Sequence, residues 1–413
     1  MKRWKSSLCS MLLFFFAAWT PVASAKDIIV GFTGPLSGPA AEYGQDCLNG
    51  IDMAVKELNA AGGVRVNGRT YTFRLEKLDD AVDPTRAKNN AMRFVAQNKA
   101  PIVFVPIGTT IGAVMSIPQT PGNEFLIAAY TSIHVFFNKK HPMIITPTPN
   151  FAGYVINMTD AAKAKGWKTC AMVVTAGAYG DAWRSAWNKV WTAKGGQIVG
   201  DFPANYFAET DFSSQLASAM SRKPDFMLIG GPSATTALVI EQARNMGFKG
   251  GFVMIDQAKP EYVAKVLKNM NLLEGLISTA SCQDLPLPVT PVFAKKYQAA
   301  YKKDMTWECA LNYNMMHVLA RAIKAGNSIR ALDIRKNIAR VLPTTGDKFP
   351  NELFTIDDRG VMYCGGVLQQ VQHARFSKVD YIFSFPKTQK EFEKYKKMSK
   401  STEPQNIRWV PAK

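Results

Sequence analysis

Apolar positions recur along this chain with two different periods. Asp27 to Phe32 reads as a strand, and Leu48, Ile51, Val55 and Leu58 then follow at the 3-4-3 spacing of one helix face. Gly62-Gly63 stops that helix. Tyr71, Phe73 and Leu75 alternate with Thr72, Arg74 and Glu76, as in a strand with one wet face, before Ala87, Ala91, Phe94 and Val95 mark another helix. Pro101 to Val105 and Phe125 to Ala129 continue the series. After ITPTPN, Ile144 to Asn150, it restarts with strands over Thr169 to Val174, Gln197 to Asp201, Asp225 to Ile229, Phe252 to Ile255 and Gly275 to Thr279. Such alternation predicts parallel sheets covered by helices, and the restart predicts two α/β lobes.

SCQDLPLPVTP, between Ser281 and Pro291, is too rich in proline for a regular element. A long helical region follows, then LFTIDDRG and the apolar VMYCGGVLQQV. This order has the chain return to the first lobe and finish in the second. The expected division is a leader at 1–25, a first lobe of 26–146 plus 281–357, and a second of 147–280 plus 358–413.

The leader is read from Lys2, Arg3 and Lys5, the apolar run Met11 to Trp19 and the small-x-small Ala23-Ser24-Ala25. That is an export signal, and it places the mature protein in the periplasm. No later run approaches the roughly 20 apolar residues of a spanning helix. The formal charge of +18 leaves nucleic acid open as a partner. The basic residues are scattered, however, apart from the tail KTQKEFEKYKKMSK, and no nucleic-acid motif accompanies them, so no nucleic-acid partner is expected. Beyond the leader, Cys47, Cys170, Cys282, Cys309 and Cys364 form no C-x-x-C pair. One or two disulfides are open to them in an oxidising compartment, with at least one thiol left over.

Candidate chemistry thins out on inspection. VGFTGPLSGPAAEYG, Val30 to Gly44, is glycine-rich like a phosphate cradle, but its G-x-x-G-x-x-x-G spacing matches no nucleotide fingerprint. Pro35 and Pro39 also remove amide donors that such a cradle needs. DDAVD, Asp79 to Asp83, resembles a magnesium–diphosphate motif, yet it stands alone between a strand and Pro84 and reads as a polar turn with Asp83 or Thr85 near a helix cap. His134, His141, His317 and His373 have no ligand spacing, so neither a metal nor a cofactor is expected. GTTIG at Gly108 to Gly112 is only superficially like a nucleophile elbow. Trp183, Trp187 and Trp191 share one helix face and read as core. No catalytic constellation emerges, and an enzyme is not expected.

VGFTGPLSGPAAEYGQ, GIDMAVKELNAAGGV, LDDAVDP and YGDAW together resemble the leucine/isoleucine/valine-binding proteins, periplasmic solute receptors of ABC importers. The resemblance runs from about Lys26 to about Val371. It implies the type I periplasmic-binding fold, with two doubly wound parallel-sheet lobes joined by three hinge crossings, here ITPTPN, STASCQ and Asp357 to Tyr363. Ligands of such open α/β sheets bind beyond the strands' carboxyl ends. Carried over by residue, the resemblance implies Tyr43 at the cleft edge and Gly108, Thr109 and Thr110 on the ligand carboxylate. It further implies Ala129, Tyr130 and Thr131 on the amino and carboxyl groups, Tyr179 from the second lobe, and Asp256 against the ammonium.

There are departures from the family pattern. Gly108 stands where a serine is expected, Asp256 is shorter than the expected glutamate, and Val82 and Ile107 replace a disulfide pair. The expected function is an extracytoplasmic receptor that closes around a small carboxylate-bearing ligand, an apolar or branched-chain α-amino acid above all, and delivers it to a membrane permease. The alternatives are a periplasmic sensor subunit of the same fold, a receptor for an aromatic acid or amide, and, last, a secreted hydrolase.

Overall fold

The computed structural model describes Met1 and residues 26–137 and 141–411; residues 2–25 of the expected leader lie outside these. The first sheet has β1 (Lys26–Gly34), β2 (Val64–Val66), β3 (Arg69–Asp79), β4 (Ile102–Val105), β5 (Leu126–Ala129) and β6 (Ile144–Ile145), in the order β2-β3-β1-β4-β5-β6. All of its pairings are parallel except β2 with β3. The helices that follow its strands are α1 (Ala41–Ala60), α2 (Pro84–Ala96) and α3 (Gly108–Val114). Strand and helix alternate here because four- to nine-residue apolar runs such as IVFV at β4 are buried on both faces, as parallel strands must be.

The second sheet begins with β7 (Thr169–Val174), β8 (Gln197–Asp201), β9 (Phe226–Gly230), β10 (Gly251–Met254) and β11 (Leu276–Thr279), which pair with one another in parallel. Its helices are α4 (Phe151–Ala164), α5 (Ala178–Ala193), α6 (Ser213–Met220), α7 (Ser233–Asn245) and α8 (Pro260–Leu267). The chain then builds α9 (Thr290–Tyr301), α10 (Trp307–Gly326) and α11 (Ala331–Val341), of which α10 lies along α1. A small hairpin, β12 (Thr355–Ile356) with β13 (Met362–Tyr363), leads to β14 (Gly366–Gln372), β15 (Arg375–Phe376), β16 (Asp380–Phe383), α12 (Gln389–Met398) and β17 (Ile407–Trp409).

These last strands make the second sheet mixed: β14 runs antiparallel to both β11 and β16, whereas β17 is parallel to β16. The fold is therefore α/β with largely parallel sheets rather than wholly parallel ones. The basic tail, which the sequence left without a role, closes this edge. Phe392 of α12 is buried and stacks with Trp409, while Ser399 and the Lys400 amide both donate to Glu352. Two strands of chain run side by side between the sheets, where Thr146 bridges Val361 and the Met362 amide donates to the Thr146 carbonyl at 2.8 Å.

The five cysteines are all buried and unpaired, which closes the disulfide options. Cys309 and Cys364 make hydrogen bonds instead. Cys309 accepts from the Thr306 amide in the capping box of α10, and Cys364 donates to the Pro147 carbonyl at 3.3 Å. Trp183, Trp187 and Trp191 are fully buried, the last two packed on Phe226, so the tryptophan face is core.

Candidate functional site: a cleft between the two sheets

A cavity of about 340 Å³ opens where strands of both sheets end. From the first sheet it receives Tyr43 in the first turn of α1, Gly108 and Thr109 at the start of α3, and Tyr130, Thr131 and Ser132 after β5. From the second it receives Thr175 to Tyr179 after β7 and Asp256 and Gln257 after β10. Convergence of strand ends from two parallel sheets is the usual ligand position of such architectures.

The glycine-rich stretch is the bend from β1 into α1. It delivers Tyr43, whose hydroxyl donates to the Pro106 carbonyl at 3.3 Å and whose ring lies 5.9 Å from that of Tyr130. DDAVD is the turn beside it, and its aspartates are occupied by protein donors. Asp79 accepts from the amides of Leu36 and Ala81, Asp80 from Thr33 and the Val82 amide, and Asp83 caps α2 through the Arg86 amide. No group of metal-ligating side chains occurs among the described residues. What the turn does is hold Val82 at φ 64°, a left-handed conformation costly for a β-branched residue, with its side chain on the cavity.

Two helices aim their amino ends at the cavity. In α3 the first intrahelical amide is that of Ile111, bonded to Ile107 at 2.8 Å, so the Gly108 and Thr109 amides precede the ladder. In α5 it is Asp181, bonded to Gly177 at 2.9 Å, which leaves Ala178 and Tyr179 in the same position. Gly177 makes the bend at φ 96°, and Gly180 packs so closely that a Cβ there would stand 1.6 Å from the Thr175 carbonyl oxygen.

Asp256 has one carboxylate oxygen that accepts from the Tyr179 hydroxyl and from Trp183 Nε1 at 3.1 Å. Burial raises its pKa, against hydrogen bonds from Ser132, Tyr179 and Trp183 that lower it. Trp183 thus belongs to the core by its ring and to the site by its N–H tip. Seven expected site residues line the cavity: Tyr43, Gly108, Thr109, Tyr130, Thr131, Tyr179 and Asp256. Thr110 and Ala129 do not. Thr110 turns its hydroxyl back onto the Ile107 carbonyl at 2.9 Å, and Ala129 is fully buried at the end of β5.

Sequence reading missed Ser132, Trp183 and Glu308. The last is buried in the first turn of α10 and lines the cavity. Its only sequence signal was an acid in the first turn behind a Thr cap, which helix capping explains equally well. Beside it, Lys259 from the second sheet is buried against Glu42 at 2.5 Å and Asp46 at 3.1 Å, both on α1. Hence the Lys259 ammonium ties the turn before α8 to α1.

A family model described as periplasmic binding protein matches residues 27–375. The Leu/Ile/Val-binding protein of Escherichia coli K12 is 27% identical over 272 residues, 63% of this chain and 70% of that protein. Among solved structures, the branched-chain amino acid transporter substrate binding protein LivJ from Streptococcus pneumoniae, in complex with isoleucine, superposes with a TM-score of 0.73 at 19% identity. It covers 87% of this chain and all of its own. A solute binding protein from Rhodopseudomonas palustris in complex with benzoate gives a TM-score of 0.72 at 17% identity, over 85% and 95% of the two chains. No described helix is long and apolar enough to cross a membrane. Its two-sheet architecture, its cleft at the strand ends and its match over most of the sequence have one conclusion: the chain belongs to the periplasmic binding protein family.

Proposed function

We propose that the protein is the solute receptor of an ABC importer, exported to the periplasm, and that it closes around an α-amino acid and presents it to a membrane permease. In this reading 26–146 with 281–357 form one lobe and 147–280 with 358–413 the other, hinged at the three crossings. The reading rests chiefly on one observation. Two carboxyl groups, Asp256 and Glu308, line the cavity, and no Lys, Arg or His among the described residues does.

An ammonium satisfies such a site, whereas a plain anion such as benzoate would enter it against like charge. Asp256 takes the α-ammonium. The α-carboxylate meets the Thr109 and Thr131 hydroxyls and the leading amides of α3, donors that suit a carboxylate. Tyr43, Tyr130 and Tyr179 wall the cleft, and Thr110 and Ala129 support its loops from behind. Val82, Pro84, Pro106 and Ile107 accommodate hydrocarbon. A molecule lacking either charged group leaves buried partners unpaired and is rejected.

Thermal-shift screening of amino acids, aromatic acids and amides tests this. A ligand at 100 times its dissociation constant should add about 2.7 kcal/mol of stability. Stabilisation by aromatic acids alone would overturn the amino-acid reading, and recovery of a chemically altered ligand would overturn the receptor.

A further inference from the structure

Glu308 is not accounted for by a receptor of hydrocarbon side chains. Its side chain is 3% exposed in a residue that lines the ligand cavity, and its Oε2 is buried without a hydrogen-bond partner. Lys259 Nζ is 3.9 Å from that oxygen, beyond hydrogen-bond reach, and is engaged with Glu42 and Asp46. The second ammonium nearby, Lys303, goes to Asp46 at 2.8 Å. Three carboxyls therefore share two ammonium groups, and Glu308, on the cavity, is the one whose Oε2 has no ammonium within hydrogen-bond reach; its other donors are neutral, Thr306 and its own backbone.

Glu261, close by with both carboxyl oxygens buried and unpartnered, deepens the acidic surplus. Asp256 differs in that the protein supplies it with Tyr179 and Trp183. The two acids stand on different elements, Asp256 after β10 and Glu308 on α10, and both act electrostatically on Tyr43 and Tyr130. A buried acceptor on a residue that lines a cavity can be satisfied by a small side-chain turn toward whatever fills that cavity.

Resting on the receptor reading above, we propose that Glu308 is a specificity-determining residue that accepts an N–H donor from the ligand's far end. The favoured ligand is then an α-amino acid whose side chain ends in an amide or an ammonium, rather than a branched hydrocarbon. Asp256 holds the α-ammonium, Glu308 holds the side-chain nitrogen, and the apolar wall covers the methylenes between them. An apolar side chain of the same size would leave the Glu308 oxygen buried without a donor, and that loss sets the discrimination.

Isothermal titration with near-isosteric pairs tests the proposal: L-asparagine against L-leucine, and L-lysine against L-norleucine. In at least one pair the nitrogen-bearing member should bind tenfold tighter or more. Glu308→Met should abolish or reverse that preference. Glu308→Gln, which keeps shape and an acceptor but not the charge, should retain preference for an amide and lose it for an ammonium. A variant with merely disturbed packing would weaken both members of a pair together and leave their ratio intact, and that result overturns the proposal. Equal or tighter binding of leucine and norleucine by the unaltered protein, with the ratio unmoved in both variants, also overturns it and leaves the receptor reading standing. If no amino acid binds, the receptor reading itself has failed and the proposal with it.

Discussion

At the scale of single residues, the chemistry of the cleft depends on which buried charges lack a partner in the protein. Asp256 is held by neutral donors, Ser132, Tyr179 and Trp183, so an arriving ammonium finds its carboxylate oriented but uncompensated. Asp256→Asn should weaken an amino-acid ligand at least tenfold, about 1.4 kcal/mol, by titration calorimetry. His134 makes a separate prediction. Burial lowers its pKa to about 4, against a hydrogen bond to the Thr148 carbonyl that raises it, so the folded protein keeps the ring neutral. A histidine held neutral contributes stability above its unfolded value of 6.5 and loses it as pH falls from there towards 4. Relative to His134→Gln, the native protein should therefore lose on the order of 3 kcal/mol across that window. Glu42 and Glu261, both raised to about 7, titrate in the opposite sense, which is why the difference between the two proteins, followed by denaturant unfolding, is the measurement.

The motif residues of the cleft were readable because they sit at strand ends with a recognisable local pattern, as Tyr43 does after GPLSGPAAE. Trp183 and Glu308 were not. Each reaches the cleft from a helix whose own periodicity explains it as core or cap, and only the packing of α5 and α10 turns one polar tip inward.

At the scale of elements, apolar runs located β4, β5, β7, β9, β10 and β11 to within a residue, because parallel strands buried on both faces leave little ambiguity, whereas the longest strands, β1 and β3, run beyond the stretches read for them. The two-residue strands β12 and β13 and the antiparallel return of β14 and β16 carry no such signal; their pairing is decided by which edge remains open. The α5 entrance shows how tightly an element positions the site. Gly180→Ala would drive a Cβ into the Thr175 carbonyl and shift Tyr179, the donor to Asp256. The expected outcome is about 1–3 kcal/mol of destabilisation in urea together with weakened ligand binding. Unchanged values in both would show that the helix end tolerates displacement.

At the scale of the molecule, two sheets and a cleft followed from the restart of the strand-helix series, but the contact that joins the two bodies did not. Lys259 belongs by sequence to the turn before α8, and its partners Glu42 and Asp46 lie more than two hundred residues earlier on α1. In the proposed receptor, water would solvate these groups in an open arrangement and closure would bury them together, and a buried carboxylate without its cation is costly. Lys259→Met should thus lower ligand affinity at least tenfold without touching the ligand, while small-angle scattering shows a less complete compaction on saturation.

The central claim is that the cleft recognises an ammonium and a carboxylate together. Its most direct test is calorimetric titration of the tightest-binding amino acid of the screen against its deaminated analogue, the same carbon skeleton and carboxylate with hydrogen in place of the α-ammonium. The deaminated acid should bind at least tenfold more weakly, and Asp256→Asn should narrow the gap. Equal affinities for the two compounds would contradict it.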